Sequence, residues 1–540
     1  MSDKQPIFIL PESTERTMGR DAQRNNILAA RLVSDAVKTT LGPKGMDKML
    51  VDSVGDVTVT NDGVTILDKM EIEHPAAKMM VEISKTQESE VGDGTTTAVM
   101  LAGKLLENAE KLLDMKIHPT VITKGYGMAS EKAKEFLHEL SIDFENKEDI
   151  LKSVVKTAMT GKGAETFKDK FAEIIIQAVG QIKENNKVDL ENIKIVKNKS
   201  NGVENSNLIK GIIIDKERVS IDMPSIVENA KIALFSEALE LKNPDETKIS
   251  ISNPNQLQEF VDREDRILKE MVEKVKTSQA NVIFCQKGID DVVQFYLAKE
   301  GIYACRRVAK SDMENLARAT GGKIISNLNE LTEEELGNAQ VVEEVKHGGE
   351  AMTYVQGCKD PKALTILIHG GSDHVMDEME RALNDGLGDV AAVIKDGKIV
   401  AGAGAIEMEL SKRLREFSNT LSGREQLAVQ EFANALEFIP LTLAENAGLD
   451  PIDVLTELKS RHDNGEVHAG INIFSSKVEN SLENGIVEPL KIKTQAISSA
   501  SEVAMMVLRI DDVLASKGGS GGAGGMGGMP GGMGSFGGME

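Results

Sequence analysis

The apolar positions of this chain change their period along its length. From Asp21 to about Thr40, Ile27, Leu28, Leu32, Val33 and Ala36 recur at helical spacing, which predicts a helix stopped at Gly42-Pro43. Residues 48–67 read as two short strands around a turn, with Asn61-Asp62-Gly63 as a second tight turn. Helical patterns then dominate to Leu140, including His74–Glu90, a segment after the threonines at 95–97, and Pro119–Leu140. Further helices over 147–180 are broken at Thr160-Gly161-Lys162-Gly163. Around 208–236 the pattern becomes strand-like, and NVIFCQ (281–286), IDDVVQFYLAKEG (289–301) and IYACRRV (302–308) alternate strand and helix. That alternation predicts a compact α/β unit with partly parallel pairing. After TILIHGG (365–371) helical patterns return as far as Ser516. Helical material at both ends brackets an α/β centre, as an insertion would produce.

Within the centre, residues 240–277 stand apart. Asn253-Pro254 predicts a helix start, and Leu257, Phe260, Val261, Ile267, Leu268, Met271, Val272 and Val275 fall mainly on one face. Two readings fit: a helix packed on its own domain, or a protruding arm whose apolar face meets other subunits or unfolded clients.

Composition narrows the function classes. The 540 residues, 41% hydrophobic and 28% charged, are ordinary for a soluble multidomain protein. A net charge of −23 argues against a nucleic-acid partner, which needs a basic face. There is no apolar run long enough to span a bilayer and no secretory signal pattern, so a cytoplasmic protein without a membrane partner is expected. Cys285, Cys305 and Cys358 are too few and too scattered for a disulfide frame and read as reduced thiols. The glycine- and methionine-rich tail, 516–540, reads as a flexible end.

The candidate chemistry centres on EVGDGTTTAVMLAG, residues 90–103. A turn and a threonine helix cap would need only one glycine and one hydroxyl. The full pattern suits an anion seat, in which glycines expose backbone N–H groups, a helix start adds partial positive charge, and hydroxyls donate further. Asp93 would repel a phosphate unless a divalent cation lay between them. Other constellations fail: there is no GxxxxGK[ST], no Gly-x-Ser-x-Gly elbow, and His347, His369 and His374 lack paired metal-ligand spacing.

Taken together, TLGPKGMDKMLV (40–51), VTNDGVTIL (59–67), VGDGTTTAV (91–99), LNDG (383–386), IVAGAGA (399–405) and GIVEPLKIKTQAI (485–497) resemble the group II chaperonins in order and spacing. The resemblance covers essentially the whole chain, tail and central insertion included, and among group members is strongest to the archaeal kind. It implies a multidomain α and α/β fold: a helical equatorial domain from both chain ends (1–146 and 404–540), an intermediate hinge domain (147–217 and 369–403), and an α/β apical client-binding domain (218–368). The protrusion at about 240–277 would serve as a built-in lid, with Leu257, Phe260, Val261, Ile267 and Leu268 as candidate client or lid contacts. It further implies an ATP-dependent chaperone, an ATPase using ATP/ADP and Mg²⁺. Such a chaperone folds unfolded or partly folded proteins inside a double ring of itself, with or without paralogous subunits, and needs no separate lid co-chaperonin.

By the same resemblance, Gly94, Thr95, Thr96 and Thr97 would hold phosphates and Asp93 the Mg²⁺. Leu41 and Gly42 would face the nucleotide from the other side, Gly402 would approach sugar and base, and Glu488 would accept from the ribose hydroxyls. Asp62 and Asp385 would position and activate the attacking water, and Lys162 would sense the γ-phosphate. The residues alone leave blander alternatives: Asp62 as a turn residue, Asp385 as a solvated mid-helix carboxylate, Lys162 as an exposed loop lysine. Two positions depart from the family pattern, Ala403 where three consecutive glycines are usual and Gly386 after Asp385 in place of alanine. Rival functions are a small-molecule kinase or phosphatase on the same metal-phosphate seat, and a passive holdase.

Overall fold

The computed structural model describes residues 14–144, 147–184, 187–199, 202–241, 254–347 and 350–516. The tail beyond Ser516 and residues 242–253 of the central insertion, Asn253 among them, lie outside the described residues. In the N-terminal part run α1 (Gly19–Lys38), α2 (Gly63–Lys69), α3 (Pro75–Val91), α4 (Thr95–Asp114) and α5 (Pro119–Leu140). Pro75 and Pro119 each open a helix, where a missing N–H costs nothing, and His74 and His118 cap them by accepting from Ala76 N and Thr120 N. Asn61-Asp62-Gly63 is not a free turn. Asp62 is the N-cap of α2, and its side chain accepts from Thr65 N.

Next come α6 (Glu148–Met159) and α7 (Lys168–Ile182), then α8 (Pro254–Thr277), α9 (Asp291–Lys299) and α10 (Lys310–Thr320) of the centre, and α11 (Asp373–Asp396). The chain closes with α12 (Ala405–Ser418), α13 (Glu425–Leu436), α14 (Phe438–Asn446), α15 (Pro451–Asp463) and α16 (Leu490–Leu508).

The apolar stripes of these helices meet in separate cores. One is built from both ends of the chain: Ile27, Met80, Leu101, Leu105 and Tyr126 pack with Leu410, Phe432 and Ile497. α4 is buried at every position from Ala98 to Gly103, so it runs through the middle of this core. Gly103 permits the closest approach, since a Cβ there would lie 2.3 Å from Ser34 Cβ of α1. The termini are tied by strand pairing, Thr14–Met18 running antiparallel to Asp512–Ser516.

A second core joins α6, α7 and α11 to a small sheet in which Leu364–Gly370 lies parallel to Ile193–Lys199 and antiparallel to Asn207–Ile209. The centre is a sheet that is, among the described residues, seven-stranded and mixed. Ile226–Phe235, Val282–Cys285 and Tyr303–Cys305 pair in parallel, with Ile324–Ile325 parallel to the end of Ile226–Phe235, while Gly337–His347, Glu350–Gln356 and Gly211–Ile214 continue it antiparallel. The partly parallel α/β centre is as the sequence predicts. The three cysteines are buried and unbridged, and burial pushes the thiols up, Cys305 to about 12.

The insertion helix α8 divides by face. Leu268, Val272 and Val275 are buried against α9 and the sheet, so Leu268 belongs to the core and is corrected from a candidate client contact. Phe260, Val261 and Ile267 are 37%, 48% and 37% exposed, and the side chain of Leu257 lies outside the described residues. No described helix is long and apolar enough to cross a membrane.

Gly386, a departure from the family pattern, has a packing reason. It is buried on α11, where a Cβ would come 2.9 Å from Ile175 Cδ1, the movable end of a side chain. Gly388 faces a harder neighbour, the backbone carbonyl oxygen of Val91 at 2.8 Å. Gly386→Ala is therefore expected to change stability by no more than about 1 kcal/mol, helix propensity offsetting the repacking. Gly388→Ala is expected to cost about 1–3 kcal/mol. Thermal unfolding of the two variants side by side checks the contrast.

Candidate functional site

A cavity of about 610 Å³ opens where both chain ends meet the α6–α7 segment. Its floor is the N-terminus of α4. Gly94 is the N-cap with φ 79°, a conformation suited to glycine, and no side chain caps the helix. The threonines thus form the first turn and do not supply the cap. Their helix start presents N–H groups, with partial positive charge, to the cavity lined by Gly94, Thr95, Thr96 and Thr97. The loop is pinned from behind by Gln87 Nε2, which donates to Asp93 O (2.9 Å) and Ile492 O (3.3 Å). A Cβ on Gly94 would meet Ile492 Cγ2 at 2.6 Å, so both conformation and contact demand glycine.

The opposite wall is the Thr40–Pro43 loop after α1. Leu41 and Gly42 line the cavity, and Asn446 of α14 holds the loop by donating to Lys38 O (3.1 Å) and Leu41 O (2.9 Å). Asp62 lines it as well, its Oδ2 accepting from Thr65 N (2.9 Å) and Thr65 Oγ1 (2.6 Å). Glu488 enters from the strand Val487–Pro489, paired with Lys398–Ala401. Lys493 bridges Glu488 (2.6 Å) and Glu407 (2.8 Å). Burial raises the Glu488 carboxyl against the opposing pull of Lys493. Gly402 sits one position behind the wall, which is formed by Ala403 and Gly404, and a Cβ on Gly402 would meet Glu488 Oε1 at 2.7 Å. Ala403 adopts φ 57°, so the methyl is accommodated in a left-handed backbone at a cost of about 1–2 kcal/mol.

Lys162 is no exposed loop residue. The Thr160–Gly163 loop carries it into the cavity, where Nζ lies 2.5 Å from Asp385 Oδ2 and 3.5 Å from Asp93 Oδ1, with both Lys162 and Asp385 only 20% exposed. Burial alone would lower the ammonium, but Asp385 and Asp93 outweigh it and hold it well above its ordinary range. Asp385 reaches the cavity through this lysine. Burial pushes its carboxyl up to about 7, Lys162 opposing and Asp93 and Asp62 reinforcing. The solvated mid-helix reading of Asp385 therefore does not hold.

Sequence reasoning missed several wall residues. Ile471, Ile473, Phe474 and Leu443 form an apolar side, and Asp389, one helical turn beyond Asp385, lines the cavity while only 2% exposed. Burial raises the Asp389 carboxyl well above the usual range. No local pattern marks any of them, because the contacts that matter come from distant segments.

The donor set fits a metal-bound polyphosphate. An uncapped helix start and a lysine serve an anion, while Asp93 and Asp62 need a cation to tolerate it. Comparison with known proteins places the chain in a family. Residues 33–518 match the TCP-1/cpn60 chaperonin family. The chain is 57% identical over 521 residues to a thermosome subunit of Methanopyrus kandleri, covering 95% of this chain and 96% of the relative. It is 56% identical over 520 residues to a thermosome subunit beta of Archaeoglobus fulgidus, covering 95% of each. A thermosome subunit of Methanothermococcus thermolithotrophicus is 54% identical over 521 residues, 96% of each chain. The fold and the relatives are those of a nucleotide-binding ring chaperonin of the group II kind, an ATP-driven ATPase. The chain belongs to the TCP-1/cpn60 chaperonin family.

The raised Asp385 carboxyl has a testable sign. Between its ordinary value near 4 and about 7 the folded chain keeps a proton that the unfolded chain has released. Stability from this group is thus greatest below that window and falls as pH rises through it. Relative to Asp385→Asn, the wild type is expected to lose roughly 2 kcal/mol between pH 5 and pH 8. Denaturant unfolding at the two pH values checks this, and parallel behaviour of the two proteins would contradict it.

Proposed function

We propose that this cavity binds ATP and ADP as their Mg²⁺ complexes and that hydrolysis there drives folding of unfolded or partly folded proteins inside a closed ring. The observation that carries the reading is Lys162 held between Asp385 and Asp93 at the mouth of an uncapped helix. In this assignment Gly94, Thr95, Thr96 and Thr97 take the phosphates and Asp93 takes Mg²⁺. Leu41 and Gly42 cover the nucleotide, Ala403, with Gly402 behind it, lies along sugar and base, and Glu488 accepts from the ribose hydroxyls. Asp62 and Asp385 orient the attacking water, and one carboxylate accepts its proton as the bond from water oxygen to the γ-phosphorus forms and the bond from the γ-phosphorus to the β,γ-bridging oxygen breaks, ADP leaving with that oxygen. Lys162 exchanges Asp385 for the γ-phosphate, which frees the carboxylate for water. Placement and charge neutralisation are what phosphoryl transfer requires.

The core built from both chain ends supports an equatorial domain of 1–146 and 404–540, with 147–217 and 369–403 as a hinge and 218–368 as the apical domain. Lys162 belongs to the hinge and Asp93 to the equatorial part, so a shift of this pair is the means by which phosphate state moves the middle. The protrusion around 240–277 acts as the lid, with Phe260, Val261 and Ile267 as its exposed apolar residues. No separate lid protein is needed, and the protein works in the cytoplasm.

Two exposed edges favour assembly with further copies, identical or paralogous. The hairpin Lys48–Val51 and Val57–Thr60 stands as a two-stranded ribbon with Met49 and Val51 69% and 63% exposed, and the terminal pair 14–18 and 512–516 is a second. Isolated two-stranded ribbons are marginal and invite pairing.

Asp385→Ala is expected to keep ATP binding, lose at least a hundredfold in turnover and fail to refold a denatured client. Unchanged refolding would leave a holdase, and hydrolysis dependent on a small-molecule acceptor would leave a kinase. For assembly, Met49→Lys with Val51→Lys is expected to abolish rings in electron micrographs while the separated subunit keeps its helical circular dichroism. Intact rings would place the contact elsewhere.

A further inference from the structure

Asp389 has no part in the roles assigned above, yet it is the most deeply buried carboxylate of the cavity wall. It is 2% exposed, it lines the cavity, and its Oδ1 has no hydrogen-bond partner among the described residues. Its position is built. It stands four residues after Asp385 on α11, hence on the same face. α11 is pressed onto the loop that carries Asp93: a Cβ on Gly92 would lie 3.7 Å from Gly388 Cα, and one on Gly388 would lie 2.8 Å from Val91 O. Glycine on both sides thus brings the backbone just before Asp389 against the backbone just before Asp93, and after burial the Asp93 charge is the next influence that pushes the Asp389 carboxyl up. Lys162 Nζ is turned to Asp385 (2.5 Å) and Asp93 (3.5 Å), and Asp389 Oδ1 takes no hydrogen bond from it.

A buried carboxylate with a free oxygen is costly unless something compensates it. We infer that Asp389 is a second carboxylate of the divalent-cation site, standing beside Asp93 and facing the cation directly or through one of its waters. Among the described residues no three carboxylate, histidine or cysteine side chains lie close enough to hold a metal ion by themselves. The protein then supplies one or two carboxylates, and phosphate oxygens and water complete the shell, the usual arrangement for Mg²⁺. This rests on the reading of the cavity as a metal-nucleotide site and adds a residue to it.

The test is calorimetric titration of ADP into the assembled protein, in EDTA and across a Mg²⁺ series, for the wild type, Asp93→Asn, Asp389→Asn and Asp389→Ala. Electron paramagnetic resonance with Mn²⁺ and ADP gives a second readout that does not use activity. The Asp389 variants are expected to bind ADP in EDTA as the wild type does, and to need roughly tenfold more Mg²⁺ or Mn²⁺ for metal-dependent tightening. Whichever of the two variants folds and assembles decides. A wild-type metal requirement there, with Asp93→Asn shifted, overturns the inference and leaves the nucleotide reading intact. A wild type that binds ADP with no metal dependence, or not at all, overturns the metal-nucleotide reading itself.

Discussion

One cation among several carboxylates organises this molecule. Lys162 is delivered by a loop between α6 and α7, while its partners Asp385 and Asp93 come from α11 and the loop before α4. The loop is held as firmly as the ion pair: a Cβ on Gly161 would lie 2.4 Å from Pro43 Cα, and Asn61 Nδ2 donates to Gly161 O at 2.9 Å. A buried pair of this kind is weak as a source of net stability, but breaking it by removing one partner strands a charge. That asymmetry makes it suitable as a switch. On the proposed reading, a phosphate competing for the lysine would supply the replacement charge, so that the exchange would strand nothing.

The same constraint explains why the chain folds back on itself. Asp62, Asp93 and the uncapped start of α4 come from the first hundred residues, whereas Glu488, Ala403 and the apolar wall at Ile471–Phe474 come from the last part. The shared core of Ile27, Leu101 and Tyr126 with Phe432 and Ile497 joins these pieces, and everything between them can then be an insertion. Ala403 shows how tightly this is set. Its left-handed backbone is retained because its carbonyl accepts from Ile471 N at 3.0 Å, which ties the glycine-rich turn to the neighbouring strand.

Much of the fold was legible because local signals and tertiary burial agree. Pro119 and the apolar period define α5 to the residue, and the break at 160–163 is where α6 ends. The failures share a cause. Asp62 looked like a turn because Asn-Asp-Gly is a turn sequence, yet the same side-chain oxygen that closes a turn also caps a helix. A threonine looked like a cap, but the left-handed glycine before it takes the cap position and leaves the helix start open. Asp385 read locally as a solvated carboxylate, and Asp389 drew no reading at all, because nothing within ten residues of either reveals the lysine or the loop packed on them. The burial of Leu268 was hidden for the same reason, since an amphipathic stripe does not say which of its edges meets the sheet. The candidate residues were nameable mainly through the family resemblance; their mutual contacts were not legible at all.

The central claim is that Lys162 links the state of the phosphate to movement of the α/β centre. It is tested most directly by spin labels at two exposed positions, Met115 at the end of α4 and Phe295 on α9, each replaced by cysteine and read by pulsed electron resonance. The native thiols are buried and leave the labelling to the new sites. The account predicts that ATP with Mg²⁺ changes the Met115–Phe295 distance distribution in the otherwise native protein, and that the change is lost when Lys162 is alanine although nucleotide still binds. The same ATP-driven change with alanine at 162 would contradict it.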